Sequence, residues 1–203
     1  QGGVALPYRY NQTENGFDID LDYLAKSISA KTKVLILNNY QNPMSASSSK
    51  EELKALSKLV LKHDLWVLSD DAYYEIRYSK DSPNSILNFP GMKQRTVILY
   101  TFSKKYAMTG WRIGASIGPK SLIKHMARFN INDESCTNHF IQHALASVLN
   151  DRNDYGEEII KKLIKRRDLC LKKLNSISDL DISTPESTFY LFPNVSKLSL
   201  IHI

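Results

Sequence analysis

Between residues 33 and 103 the sequence alternates short, unbroken apolar runs with one amphipathic stretch, and few architectures accommodate that order. "KVLILNN", residues 33–39, is a β-leaning run of the kind found in a strand buried on both faces, and "QNP" stops it. Ser49 followed by Glu52 is a capping-box pattern. Leu53, Leu56, Leu59 and Val60 then recur at helical spacing up to His63. "LWVLSD" reads as a second strand, and "RTVILYTFS" as a third after a polar connection containing Pro83, Pro90 and Gly91. "WRIGASIG" reads as a fourth, with glycines at its edges. Strand, helix and strand in that order predict an α/β fold: a mostly parallel sheet flanked by helices.

The later sequence is organised differently. Residues 119–130 and 135–150 read as two helices, and a longer helix is predicted from Asp154 to about Ile177, with Ile160, Leu163, Ile164, Leu171 and Leu174 on its apolar side. "STFYLFP" begins a new β segment at Ser187. This pattern places a domain boundary in the long helix, with 1–155 as a partial large domain and 156–203 as the interdomain helix and the start of a smaller α/β domain.

With 203 residues, 42% hydrophobic and 24% charged, the chain is ordinary for a packed globular protein. Cys136 and Cys170 lack CxxC spacing and are too few for a disulfide framework, which points to a reducing, cytoplasmic setting. No apolar run approaches the roughly 20 residues of a membrane helix, and a signal-peptide pattern is not found. The net charge of +6 speaks to solubility more than to a partner. The basic run at 161–173 has no interleaved aromatics and reads as the solvated face of a helix, so no nucleic-acid or membrane partner is expected. His139 and His143 stand at i and i+4, but Phe140 occupies the position of a zinc-protease glutamate. They read as packing or surface histidines, with no metal.

In an open α/β sheet, ligands gather at the carboxyl ends of the strands. The first apolar run ends in Asn39 to Asn42, the second in Asp70 and Tyr73, and the third in Thr101, Ser103 and Lys104. Together they place an amide, a carboxylate, a phenol, hydroxyls and an amine around one crevice, which suits an aromatic cofactor with a ring nitrogen and a phosphate. A lysine forms a Schiff base when its amine can deprotonate, and Lys105 and Arg112 are the cations expected to promote this. Pyridoxal phosphate also needs a carboxylate against its ring nitrogen, for which Asp70 is the candidate. Arg112 with Thr101 and Ser103 fits the donor set its phosphate needs.

The stretch "TFSKKYAMTGWRIG", residues 101–114, closely resembles the SFSKxxxMxGxRxG signature of class I/II aminotransferases of fold type I, which use pyridoxal 5'-phosphate. The resemblance continues in order through the chain. "NGFDIDLDYLAKSISAKTKVLILNNYQNPMSASSSKEEL" is similar to the segment with the family's Asn-Pro-Thr-Gly turn, "VLSDDAYYEI" to its Ser-Asp-Glu-x-Tyr segment, and "STFYLFP" to the start of its small domain. The resemblance implies that Lys104 forms the Schiff base and later moves a proton, and that Asp70 pairs with the pyridinium nitrogen. By the same resemblance, Tyr73 and Asn42 hydrogen-bond the phenolic oxygen, Asn42 helps seat the substrate carboxylate, and Thr101, Ser103 and Arg112 hold the phosphate. It further implies amino acid and 2-oxo acid substrates and a homodimer.

Two departures from the pattern stand out. Met44 and Ser45 replace the usual threonine and glycine, which removes glycine's freedom at positive φ and predicts a different seat for Asn42. The family's N-terminal phosphate loop, its ring-stacking aromatic residue and its C-terminal substrate-binding arginine have no counterpart in the 203 residues, so the chain reads as a central portion of such an enzyme. A β-lyase or cyclising synthase of the same fold is the alternative activity, and a non-catalytic truncated piece the alternative outside catalysis.

Overall fold

The computed structural model describes residues 2–14, 16–79, 84–151 and 153–198. A hairpin of β1 (Tyr10–Thr13) and β2 (Gly16–Ile19) comes first, unanticipated in the sequence reading, and α1 (Leu21–Ser27) follows it. β3 (Val34–Leu37), α2 (Lys50–Lys62) and β4 (Trp66–Asp70) then form a strand, helix, strand unit. β5 (Thr96–Thr101) and β6 (Gly114–Ile117) complete a four-stranded sheet in the order β3-β4-β5-β6. The first two pairings are parallel and the last antiparallel, so the sheet is mostly parallel as the sequence predicts. Pro83, in the polar connection before β5, lies outside the described residues, as does nearly all of the final "LSLIHI".

The start of α2 forms as its sequence predicts. The Ser49 hydroxyl accepts from the Glu52 backbone N–H at 3.1 Å, and Glu51 and Glu52 lie in the first turn, where the helix dipole favours them. The Glu52 carboxylate also accepts from the Ile19 backbone N–H and so ties the hairpin to the helix. Burial raises the Glu52 pKa above the usual carboxylate value. Leu53, Leu56 and Val60 point inward from α2 and pack with Leu35 and Leu37 of β3, Leu65, and Val67 of β4. This cluster is the main core.

β3 departs from the expected burial on both faces. Leu35 and Leu37 are buried, whereas Val34 and Ile36 are 51% and 59% exposed. β3 stands at the sheet edge with α2 on one side, so its outer residues meet no second layer among the described residues. "WRIGASIG" also begins its strand later than predicted, because Thr109–Trp111 make a 3₁₀ turn and Arg112 takes a left-handed conformation with φ 51°. Gly114 then fits closely against β5. A Cβ there would lie 2.7 Å from the Tyr100 carbonyl oxygen, whereas one at Gly110 would meet open space. Gly114→Ala should therefore push β5 and β6 apart at a cost of about 1–3 kcal/mol, read by urea denaturation, with Gly110→Ala as a near-neutral control.

α3 (Lys120–Asp133), α4 (His139–Asn150) and α5 (Glu157–Leu174) follow, close to the predicted helices. α4 packs Ile141 and Leu145 against Phe102 and Ile113, under the stretch that carries the lysines. The lysines and arginines of α5 line a largely exposed face, and Lys161 is paired with Glu157 and Glu158. No helix among the described residues is long and apolar enough to cross a membrane.

The expected β segment at "STFYLFP" does not form a regular strand. Ser187 makes one bridge to Arg77, and the Thr188 N–H donates to the Ile76 carbonyl at 2.8 Å. Thr188 then turns left-handed at φ 61°, which takes the following backbone out of strand register. The result is a bent segment fastened to the loop after β4, with Tyr190 packed beside Tyr40, Tyr73 and Ile76.

Candidate functional site

β3, β4 and β5 run parallel, so their carboxyl ends open on the same edge of the sheet. Asp70 is the last residue of β4 and stands opposite Leu99 of β5, two residues before Thr101. Its carboxylate accepts from the Asn38 side-chain amide at 2.9 Å and from the Ala72 backbone N–H at 3.2 Å. Asn38 in turn accepts from the Asn42 backbone N–H at 3.1 Å, so one amide joins the ends of two strands. Asn38 escaped the sequence reading although it directly follows β3, the strand-end position that could have identified it. Asn39, by contrast, is used internally: it donates to the Asn84 carbonyl and accepts from the Tyr40 and Ser48 backbones.

The turn at Asn42 to Ser45 differs from its expectation. Ser45 adopts φ 59° although it is not glycine, and Met44 N–H donates to the Gln41 side chain at 2.8 Å. The left-handed geometry is therefore kept without the glycine. Asn42 is exposed and is positioned through its backbone by Asn38.

Asp71, next to Asp70, has a different environment. It is buried, and the Ser69 hydroxyl donates to it at 2.7 Å. Burial pushes its carboxyl up to about 6, against the lowering effect of the Ser69 bond. Over about pH 4–6 the folded protein holds a proton on Asp71 that the unfolded chain releases, so this group's contribution to stability falls as pH rises through that window. Asp71→Asn keeps an acceptor for Ser69 and removes the titration. Its stability relative to wild type should rise by on the order of 2 kcal/mol between about pH 4 and 7, and a constant difference in urea midpoints would show that Asp71 ionises normally.

The adjacent lysines divide by environment. Lys105 Nζ lies 3.5 Å from Glu75 and 3.8 Å from Asp154, while the Tyr100 hydroxyl donates to the other Glu75 oxygen at 3.2 Å. Its charge is matched by two carboxylates, which corrects the expectation that Lys105 is a free cation promoting deprotonation of Lys104. Among the described residues Lys104 has no ion-pair partner. Its ammonium lies 5.6 Å from the Tyr73 ring centre and 5.9 Å from that of Phe189.

Tyr73 is buried, and burial raises its phenol above the ordinary tyrosine value. Its hydroxyl shares a hydrogen bond with the Tyr190 hydroxyl, and its ring meets Phe189 edge-on with centres 5.2 Å apart. Phe189 and Tyr190 therefore join the site from a segment distant in sequence. Thr101 Oγ1 donates to Ser103 Oγ at 2.9 Å and accepts from the Ser103 N–H at 3.2 Å, which makes a compact hydroxyl pair at the end of β5. Arg112 is exposed and donates to the Thr109 carbonyl at 3.0 Å, not to that pair.

This donor set fits pyridoxal phosphate in kind: a carboxylate at a strand end, a phenol, two hydroxyls and, among the described residues, an amine free of carboxylates and a guanidinium that uses one nitrogen on the Thr109 carbonyl. His139 and His143 lie exposed on α4, and no group of three metal-ligating side chains occurs among the described residues.

The family model for aminotransferase class I and II matches residues 1–201. The chain is 35% identical to aromatic-amino-acid aminotransferase 2 of Thermococcus litoralis and 36% identical to aspartate aminotransferase of Pyrococcus abyssi, each over 92% of this chain and 48% of the relative. Its fold superposes on the aromatic aminotransferase of Pyrococcus horikoshii OT3 with a TM-score of 0.82 and 37% identity, covering 87% of this chain and 48% of that one. The chain thus spans about half the length of the curated relatives it matches. A match over nearly every residue, with the parallel sheet and the lysine at the end of β5, shows that the chain belongs to the class I and II aminotransferase family.

Proposed function

We propose that this chain forms the cofactor-binding core of a pyridoxal-phosphate-dependent aminotransferase that moves an amino group between an α-amino acid and a 2-oxo acid. The observation that carries this reading is the separation of the two lysines: Lys105 is ion-paired, while Lys104 keeps an amine without a carboxylate partner beside the Tyr73 phenol. The cofactor, when bound, supplies an electron sink that lets a bond at the substrate α-carbon break.

The chain's own residues supply the remainder. Lys104 Nζ is the amine that would hold the cofactor through its aldehyde carbon, with loss of water, and that would take up and return a proton once the substrate amine has displaced it. Asp70, oriented by Asn38, would present a carboxylate oxygen to the ring nitrogen and favour its protonated form. Tyr73 and Asn42 address the phenolic oxygen, and Thr101, Ser103 and Arg112 the phosphate. The relatives' names include aspartate and aromatic-amino-acid aminotransferases, and we assign the substrate to that range. The reading extends to a cytoplasmic homodimer in which residues 156–203 belong to the interdomain helix and small domain.

The test is an absorbance titration of the purified chain with pyridoxal phosphate, followed by borohydride reduction and peptide mapping. A visible band with the label confined to Lys104 is expected. Labels scattered over many lysines would show that this chain does not hold the cofactor by itself.

A further inference from the structure

Ser45 and Thr188 are 143 residues apart in sequence, yet their hydroxyl oxygens lie 2.6 Å apart in a buried contact. Ser45 Oγ also donates to the Tyr190 carbonyl at 3.0 Å, and the Tyr190 N–H donates to Thr188 Oγ1 at 3.1 Å. If each hydroxyl donates once, the three bonds form a closed circuit: Tyr190 N–H to Thr188, Thr188 O–H to Ser45, and Ser45 O–H back to the Tyr190 carbonyl. Both backbone polar groups of Tyr190 are thereby held by two side chains. A second hydroxyl pair, Ser47 with Ser187 at 2.9 Å, lies alongside. The fixed Tyr190 reaches the Tyr73 hydroxyl with its own, and Phe189 beside it forms a wall of the Lys104 surroundings.

We propose that Tyr190 is a positioning residue that holds the Tyr73 phenol, and that Ser45 acts through it as a clasp, joining the Asn42 to Ser45 turn to the 187–190 segment. The proposal rests on the reading of Lys104 and Tyr73 as a cofactor site. It also accounts for serine at a left-handed position: the side chain that strains the turn closes the circuit. Glycine would relax the backbone but leave Thr188 and the Tyr190 carbonyl without their partner.

Ser45→Gly removes the side chain and its hydroxyl while leaving the left-handed turn accessible, and Thr188→Val removes the partner hydroxyl with no change in the backbone at Ser45. Two readouts are taken: amide hydrogen exchange of the peptide covering 187–190 without cofactor, and the pyridoxal-phosphate concentration that half-saturates labelling of Lys104. Ser45→Gly should speed exchange about tenfold, and Ser45→Gly and Tyr190→Phe should each weaken labelling about tenfold, as expected for one lost buried hydrogen bond. The double variant should be no weaker than Tyr190→Phe, since Ser45 acts through Tyr190. Thr188→Ser should resemble wild type, and Thr188→Val should resemble Ser45→Gly. Unchanged exchange in Ser45→Gly, unchanged labelling in Tyr190→Phe, or additive losses in the double variant would each overturn the proposal. Scattered labelling of the wild type would instead fault the cofactor reading, and the exchange result would still decide whether the clasp exists.

Discussion

Lys104→Ala is expected to abolish the visible cofactor band and all specific labelling, whereas Lys105→Ala should keep both, and each variant should remain folded. Lys104 has ring contacts at 5.6 and 5.9 Å, and such contacts at partly exposed positions contribute about 0.5–1 kcal/mol each. Its removal therefore takes away the proposed nucleophile at a cost of about 1–2 kcal/mol at most, which leaves the chain folded. Lys105 joins the stretch after β5 to Glu75 and, more weakly, to the largely exposed Asp154. Its loss leaves a half-buried Glu75 carboxylate bonded only through Tyr100 among the described residues, and should cost about 1 kcal/mol in a urea melt. The comparison needs both variants side by side. A band that survives in Lys104→Ala and disappears in Lys105→Ala would exchange the roles assigned to the pair.

Leu56→Ala should have the largest effect on stability. Leu56 has no exposed surface, and the cluster it belongs to joins α2 to the strands that deliver Asn38 and Asp70. Truncating such a leucine removes favourable transfer energy and leaves a cavity that rigid neighbours fill only in part, a loss of about 3 kcal/mol. Against an ordinary domain stability of about 5–15 kcal/mol, that is a substantial fraction. Leu61 on the same helix is 43% exposed, and Leu61→Ala should cost about 1 kcal/mol or less. Equal urea midpoints for the two variants would mean that α2 turns a different face to the sheet.

The elements legible in the sequence are those specified by local chemistry. The Ser49 cap, the apolar spacing of α2 and the runs that become β3, β4 and β5 each depend on neighbours within a few residues, and all appear near their predicted bounds. The polar strand ends followed, because parallel strands leave their carboxyl ends on one edge. What was not legible depends on partners far away in sequence. The ion pairing of Lys105 needs Glu75 and Asp154, and the part played by Tyr190 needs Ser45 and Tyr73. The exposed side of β3 was missed for a related reason: an unbroken apolar run resembles a strand covered on both faces, and only the surrounding layers reveal that Val34 and Ile36 are not.

The reversal of β6 also has a kinetic side. Register pairs Thr101 with Gly114, so the hydroxyl pair, both lysines and Arg112 lie within or beside one short loop closed by an antiparallel pairing. Closing such a loop costs little chain entropy and proceeds on the timescale of a hairpin. The contact between Ser45 and Thr188 instead closes a loop of 143 residues and becomes favourable only once the sheet is assembled. The strand end that carries the hydroxyl pair and the two lysines thus rests mainly on contacts local in sequence, whereas the packing of Tyr73 against Tyr190 rests on contacts that span most of the chain.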